Sequence, residues 1–129
     1  MALARFWIWL RSLWQDTTMT VRPTASGGGI VDYWFQGEAS SEHFLVECRD
    51  RTGFDRTLPN RGLVLYQVDE TGIGMRLASN RINAGLTPGL RLVEADGRGD
   101  LVSGYDRGDA TDPFPGGLNR TRIDDDTTP

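Results

Sequence analysis

The sequence predicts a mainly β (α+β) fold, with one short N-terminal helix followed by about five mostly antiparallel strands and long Gly- and Asp-rich loops. Apolar and β-branched residues occur in short alternating or continuous runs bounded by turn residues, which is typical of strands. Glycine is abundant, at 16 of 129 residues, and this favours turns and irregular backbone over long helices. The predicted strands follow one another directly along the chain, and such strands usually pair antiparallel.

The chain divides into three predicted parts. Large apolar side chains recur at helical spacing over 3–14, so we predict that 1–16 is a Trp-rich N-terminal helix segment. A β-rich domain is predicted over 17–117. Its predicted strands cover 17–22, 30–36, 42–51, 62–70 and 90–95. Residues 118–129 lack a packable pattern and are predicted to be a disordered tail.

Composition excludes several classes of function. Fourteen basic and 18 acidic residues give 14 − 18 = −4, which provides no electrostatic argument for nucleic acid or an anionic membrane as a partner. The single cysteine, Cys48, excludes an intrachain disulfide and a thiolate metal cluster, and we predict that it is a buried small apolar residue. Arg5 and Arg11 interrupt the apolar N-terminal segment, which therefore does not resemble a signal peptide. The alternatives for that segment are a helix docked on the core, a membrane-surface helix, and a poorly ordered end whose normal packing partner is missing.

An aspartate-rich stretch follows the last predicted strand. Calcium takes six to eight oxygen ligands from flexible loops, and carboxylates next to glycines offer that chemistry. The candidate ligands are Asp96, Asp100, Asp106, Asp109 and Asp112. Their spacing differs from that of an EF-hand, and solvated turn-forming aspartates are the open alternative.

Three blocks stand out by their composition, order and spacing. They are EHFLVECR at 42–49 with TGFD at 52–55, GLVLYQVDE at 62–70, and LVEADG at 92–97 with GDATDPFPG at 108–116. This series resembles the immune inhibitor A-type secreted bacterial zinc metallopeptidases, in the segment C-terminal to their zinc-binding helix. The resemblance covers about residues 3–117. It departs from the family at four positions: His43, Cys48, Asn60 and Gln67 stand where the family usually has Tyr, Asn, Gly and His.

The resemblance implies a secreted location, a zinc ion in the full-length enzyme, and a partner that is either the upstream catalytic half or a protein substrate. It also implies structural roles for a set of motif residues. These residues are Glu47, Arg49, Asp55, Asp69, Glu70 and Glu94.

The chemistry of a zinc peptidase is missing from the printed sequence. Such a site needs two histidines one helical turn apart with a glutamate beside the first, and this sequence has His43 alone and no HExxH. We therefore expect no catalytic residue and no zinc ligand here, and no activity from this chain by itself. The expected function is that of a fragment or truncated member, which forms a supporting part of the peptidase unit. The alternative is a stand-alone, non-catalytic β-rich module that binds calcium or another protein.

Overall fold

A computed structural model describes residues 10–13, 18–34, 36–37 and 39–123. These residues form one five-stranded sheet in the order β1-β2-β3-β4-β5. The strands are β1 (Leu10–Leu13), β2 (Ile30–Tyr33), β3 (Glu42–Arg49), β4 (Gly62–Asp69) and β5 (Leu90–Val93). The β1–β2 pair is parallel and the three remaining pairs are antiparallel. The mainly β, mostly antiparallel fold is therefore confirmed.

The hydrophobic core lies on one face of the β3–β4 pair. Residues directly opposite each other in a ladder share a face, and Val46 lies opposite Leu65 while Leu65 lies opposite Val93. A buried cluster on this face contains Leu65, Val93, Ala95 and Phe114, with Phe44, Val46 and Leu63 packed against it. Phe114 comes from the segment after β5 and exchanges two backbone hydrogen bonds of 2.8 Å with Leu63. The loop that follows the sheet therefore helps to close the core.

The N-terminal helix prediction is wrong for Leu10–Leu13, which form β1 instead. These residues pair with Ile30–Tyr33 in register, and the backbone hydrogen bonds of that ladder override a helical spacing of side chains. Residues 1–9 and 14–17 lie outside the described part of the chain. The strand predicted over 17–22 is also wrong for 18–22, which form no strand. The first β pairing after these residues is an isolated bridge between Pro23 and Cys48.

Two short helices occupy segments that were predicted as strand end or loop. Helix α1 (Glu70–Arg76) follows β4 directly, and helix α2 (Asp100–Ser103) follows β5. The side chain of Asp69 accepts a hydrogen bond of 3.0 Å from the backbone N–H of Gly72, which is an N-cap. Two glycines lower the helix propensity of α1, so sequence spacing alone does not reveal it. No helix in the described residues is long and apolar enough to cross a membrane.

The remaining connections are ordered by turns and side-chain contacts. Single 3₁₀ turns occupy Thr24–Ser26, Gly53–Thr57 and Leu77–Ser79. The guanidinium group of Arg76 donates to the backbone carbonyls of Ala84 at 2.7 Å and Thr87 at 2.9 Å, which holds the long connection before β5.

The predicted disordered tail over 118–129 begins with a hydrogen-bonded turn. The backbone N–H groups of Asn119 and Arg120 donate to the carbonyls of Gly116 and Pro115. The disorder predicted for 118–129 stays a prediction, and 124–129 lie outside the described part of the chain.

Leu65→Ala tests the position of the core. Leu65 is 5% exposed, whereas Leu86 is fully exposed at 103%. We expect Leu65→Ala to lower the free energy of unfolding by about 2–4 kcal/mol, because it leaves a cavity in the core. The same substitution at Leu86 should change it by less than ~0.5 kcal/mol. Urea denaturation followed by circular dichroism measures both, and equal effects at the two positions would contradict this core.

Candidate functional site

A group of three carboxylates lies where β5 ends. Glu94 follows β5 directly and Asp96 stands two residues later. Asp112 lies in the segment that follows α2. The backbone N–H of Ala95 donates to the carbonyl of Asp112 at 2.8 Å, which brings the two segments together. One oxygen from each of Glu94, Asp96 and Asp112 lies within 4.8 Å of the others. We call these three residues the carboxylate cluster.

Backbone donors hold Glu94 and Asp96 in place. Glu94 is 2% exposed and its two oxygens accept hydrogen bonds from the N–H groups of Asp100 at 2.8 Å and Leu101 at 2.9 Å. The side chain of Asp96 is also 2% exposed and accepts from the backbone N–H of Arg98 at 3.0 Å. These hydrogen bonds attach Glu94 to the start of α2 and Asp96 to the turn before it.

A tight turn over 109–112 supplies the third carboxylate. The N–H of Asp109 donates to Asp112 Oδ2 at 2.6 Å, and Asp109 Oδ1 accepts from the N–H of Thr111 at 2.6 Å. The hydroxyl oxygen of Thr111 lies 2.7 Å from Asp96 Oδ2 and 2.5 Å from Asp109 Oδ1. One hydroxyl has a single hydrogen to donate, so Thr111 places two carboxylates close together and can satisfy one of them at a time.

The electrostatics of the cluster are unfavourable for a full set of negative charges. Burial, together with repulsion from Asp109, Glu94 and Asp96, raises the pKa of Asp112 to about 6, although the hydrogen bond from Asp109 N–H acts in the opposite direction. Hydrogen bonds from Thr111 lower the pKa of Asp109. The Nε of Arg98 lies 3.6 Å from Asp96 Oδ2, on a side chain that is 62% exposed. An exposed arginine compensates little of this charge.

The structure separates the five aspartates that were predicted as calcium ligands. Asp96 and Asp112 belong to the carboxylate cluster, and Asp109 lies beside it through Thr111. Asp100 contributes a backbone N–H to Glu94, and the carboxylate of Asp106 accepts from the N–H of Gly108 at 2.9 Å, which shapes a turn.

Glu94 was assigned a structural role from the resemblance, so the sequence analysis missed it as a candidate ligand. A usable signal was present, because Glu94 and Asp96 stand two residues apart at the end of a strand. In the structure the two residues lie in a turn directly after β5, in which the backbone N–H of Gly97 donates to the carbonyl of Glu94 at 3.1 Å.

The donor set of the cluster fits a hard cation. Calcium binds six to eight oxygens from carboxylates, carbonyls, hydroxyls and water. Three carboxylates and the Thr111 hydroxyl converge here, whereas zinc sites use histidine nitrogen and cysteine sulfur as their main ligands. The single histidine, His43, contacts Asp32 and Glu70 instead.

A second buried polar group joins the other face of the sheet to the turn after β3. Glu47 is 4% exposed and accepts from Arg49 Nε at 2.8 Å and the Tyr66 hydroxyl at 3.0 Å. Arg49 also donates to both carboxylate oxygens of Asp55, at 3.0 and 3.1 Å. The hydrogen bond with Glu47 is the main cause of a raised pKa at Arg49, and burial, followed by the charge of Glu47, raises the pKa of Tyr66. These residues form an ion-paired structural network.

Cys48 is half-buried beside this network. Burial, followed by the charges of Asp50 and Glu47, raises the pKa of its thiol. A raised pKa keeps the thiol protonated and poorly nucleophilic.

A scan of protein-family models and searches of curated proteins and of solved structures each find no match to this chain.

The raised pKa of Asp112 predicts how stability depends on pH in calcium-free solution. The folded protein binds a proton at Asp112 more tightly than the unfolded chain does. This proton therefore adds to the free energy of unfolding below the ordinary carboxyl pKa of about 4, and the added stability is lost as the pH rises through about 6. Asp112→Asn removes the titration and keeps an acceptor for Asp109 N–H. We therefore expect the variant to lose less stability than the wild type between about pH 4 and about pH 6.

Chemical denaturation in the presence of a chelator, repeated across this pH range, measures the difference. Asp106→Asn is the matched control, because the Asp106 carboxylate serves a turn outside the cluster. Parallel stability curves for the wild type and Asp112→Asn would rule out Asp112 as the titrating group.

Proposed function

We propose that this chain is a non-catalytic, supporting β-rich part of a secreted zinc metallopeptidase of the immune inhibitor A type, and that its carboxylate cluster binds calcium. The observation that carries the calcium assignment is the convergence of Glu94, Asp96 and Asp112 within 4.8 Å. The peptidase assignment rests on the three ordered sequence blocks. In this role the chain contributes a stable sheet and an ordered loop, and it supplies no zinc ligand.

The contacts between the three blocks support the proposal. The first and second blocks form β3 and β4, which pair over their full length from Glu42↔Asp69 to Arg49↔Gly62. The third block returns to the sheet through Phe114, which bonds to Leu63. Segments that resemble one family in order are therefore also packed into one unit.

Bound calcium would act as a clasp between the end of β5 and the loop that contains Phe114. Glu94 and Asp96 belong to the first segment and Asp112 to the second, and a single backbone hydrogen bond from Ala95 to Asp112 also links them. A cation would neutralise the carboxylates that repel each other and would hold both segments by their side chains. Since Phe114 is part of the core, the ion would stabilise the sheet as well as the loop.

Calcium titration of the purified chain tests the clasp. We expect a stoichiometric binding heat and a rise in melting temperature, because a ligand that binds only the folded state stabilises it by about 2.7 kcal/mol at one hundred times its Kd. Asp112→Asn should weaken binding by roughly tenfold or more, since calcium affinity follows the number of charged ligands. Isothermal titration calorimetry and thermal unfolding at neutral pH measure these effects.

Asp106→Asn again serves as the control, because it removes the same charge from the same loop outside the cluster. Equal affinity in Asp112→Asn and in Asp106→Asn would show that the cluster is not the calcium site. Binding by the chain at wild-type strength after both substitutions would place the ion elsewhere.

A protease assay tests the non-catalytic part of the proposal. We expect no cleavage of casein by the purified chain with added zinc, because one histidine cannot form the two-histidine motif of a zincin. Zinc-dependent cleavage that a chelator abolishes would contradict this. The DNA upstream of Met1 distinguishes the two readings: a frame that encodes HExxH supports a peptidase part, and its absence supports a stand-alone binding module.

A further inference from the structure

A buried histidine links three elements of the fold on the face of the sheet opposite the core. His43, on β3, is 5% exposed. Its Nδ1 contacts the carboxylate of Asp32 on β2, and its Nε2 lies 3.0 Å from Glu70 Oε1 at the first residue of α1. Trp34 stacks on the imidazole, with ring centroids 4.1 Å apart and planes 4° apart, and donates its Nε1–H to Asp32 at 2.9 Å. We call Asp32, His43 and Glu70 the His43 tie.

The number of hydrogen bonds that His43 donates to Asp32 and Glu70 depends on whether its ring carries one or two protons. An ionised carboxylate only accepts hydrogen bonds, and a neutral imidazole has a single N–H to donate. Both contacts are therefore satisfied together only when the ring of His43 is protonated at Nδ1 and Nε2. The neutral ring keeps one contact and leaves a ring nitrogen lone pair facing the other carboxylate.

The contacts of His43 with Asp32 and with Glu70 differ in whether water can replace the ring N–H when the contact is lost. The side chain of Asp32 is 9% exposed and that of Glu70 is 53% exposed. A buried carboxylate that loses its donor bears the full desolvation cost, whereas water replaces the donor of an exposed carboxylate. The neutral imidazole therefore keeps its N–H on Asp32 and releases Glu70.

We propose that His43 is a proton-dependent latch: the protonated ring holds the Glu70 side chain, at the first residue of α1, to β3, and the neutral ring releases that side chain. Among the described residues, the charged groups that face the imidazole are Asp32 from β2 and Glu70 from α1, while β4 presents Val68 opposite His43. None of the carboxylate cluster takes part. The test of the latch is therefore independent of the test of the calcium site.

Release loosens a limited part of the molecule. The backbone N–H of Glu70 still donates to Ser41 at 2.8 Å, and Asp69 still caps Gly72, so β4 and its pairing persist. The connection after α1 follows the helix, because Arg76 attaches that connection to α1. The latch thus controls the mobility of α1 and of the connection before β5, a surface that exposes Met75, Leu77 and Leu86.

Hydrogen exchange combined with NMR of the full chain tests the latch. His43 is the single histidine of the sequence, so the ring signals report its protonation state without assignment ambiguity as the pH is varied. Protection factors correct for the intrinsic effect of pH on exchange. We expect those of the α1 amides to fall by roughly two- to fivefold as the ring becomes neutral, the range for a half-exposed ion pair, while those of β3 stay constant.

Glu70→Gln is the matched variant, because an amide can accept from a ring N–H and can also donate to a bare ring nitrogen. In Glu70→Gln the contact survives in both ring states, so we expect constant protection of α1 across the titration. Three results would overturn the latch. They are an unchanged α1 protection factor in the wild type, a ring that keeps one protonation state throughout, and the same loss of protection in Glu70→Gln.

Discussion

The register between β3 and β4 determines which side chains reach each face of the sheet. It pairs Phe44 with Gln67, Val46 with Leu65 and Glu47 with Val64. A slip of one residue would turn Phe44 and Val46 away from the core and direct Glu47 into it, because side chains alternate strictly along a strand. The same register sets the point where β4 ends, and with it the place where Asp69 caps the following helix. The core, the buried ions and the helix start all depend on this one ladder.

Local alternation explains why the sequence predicts much of this sheet. The runs over 42–51 and 62–70 contain β3 and β4 to within one or two residues, because side chains alternate between two faces in the first run and are almost continuously apolar to Val68 in the second. Leu10–Leu13 was missed, since a strand at the edge of a sheet is defined by its partner and its own spacing resembled a helix. The helix at Glu70–Arg76 was missed because its two glycines lower its helix propensity. The N-cap contact at Asp69, which favours the helix, is visible only in the structure.

The sequence predicts which kind of residue forms the candidate site, but it does not predict which of those residues come together. Carboxylates in a Gly-rich loop indicate oxygen chemistry from the sequence alone, and Asp96 and Asp112 were among them. Which carboxylates meet depends on the hydrogen bond between Ala95 and Asp112, a tertiary contact that no local pattern encodes. That contact brings Glu94 into the cluster and leaves the Asp106 carboxylate in a separate turn.

The protein compensates its buried carboxylates in two different ways. Asp32 faces His43 and Glu47 faces Arg49, so each has a cationic side chain as partner when His43 is protonated. Among the described residues, Glu94 and Asp112 have only backbone N–H donors as hydrogen-bond partners. A buried charge without a counter-charge is costly and binds either a proton or a cation. Because the pKa of Asp112 is raised only to about 6, the proton is mostly lost at neutral pH, and the cluster then carries a negative charge that a bound cation would neutralise. On the calcium assignment proposed above, protons and calcium compete for the same carboxylates.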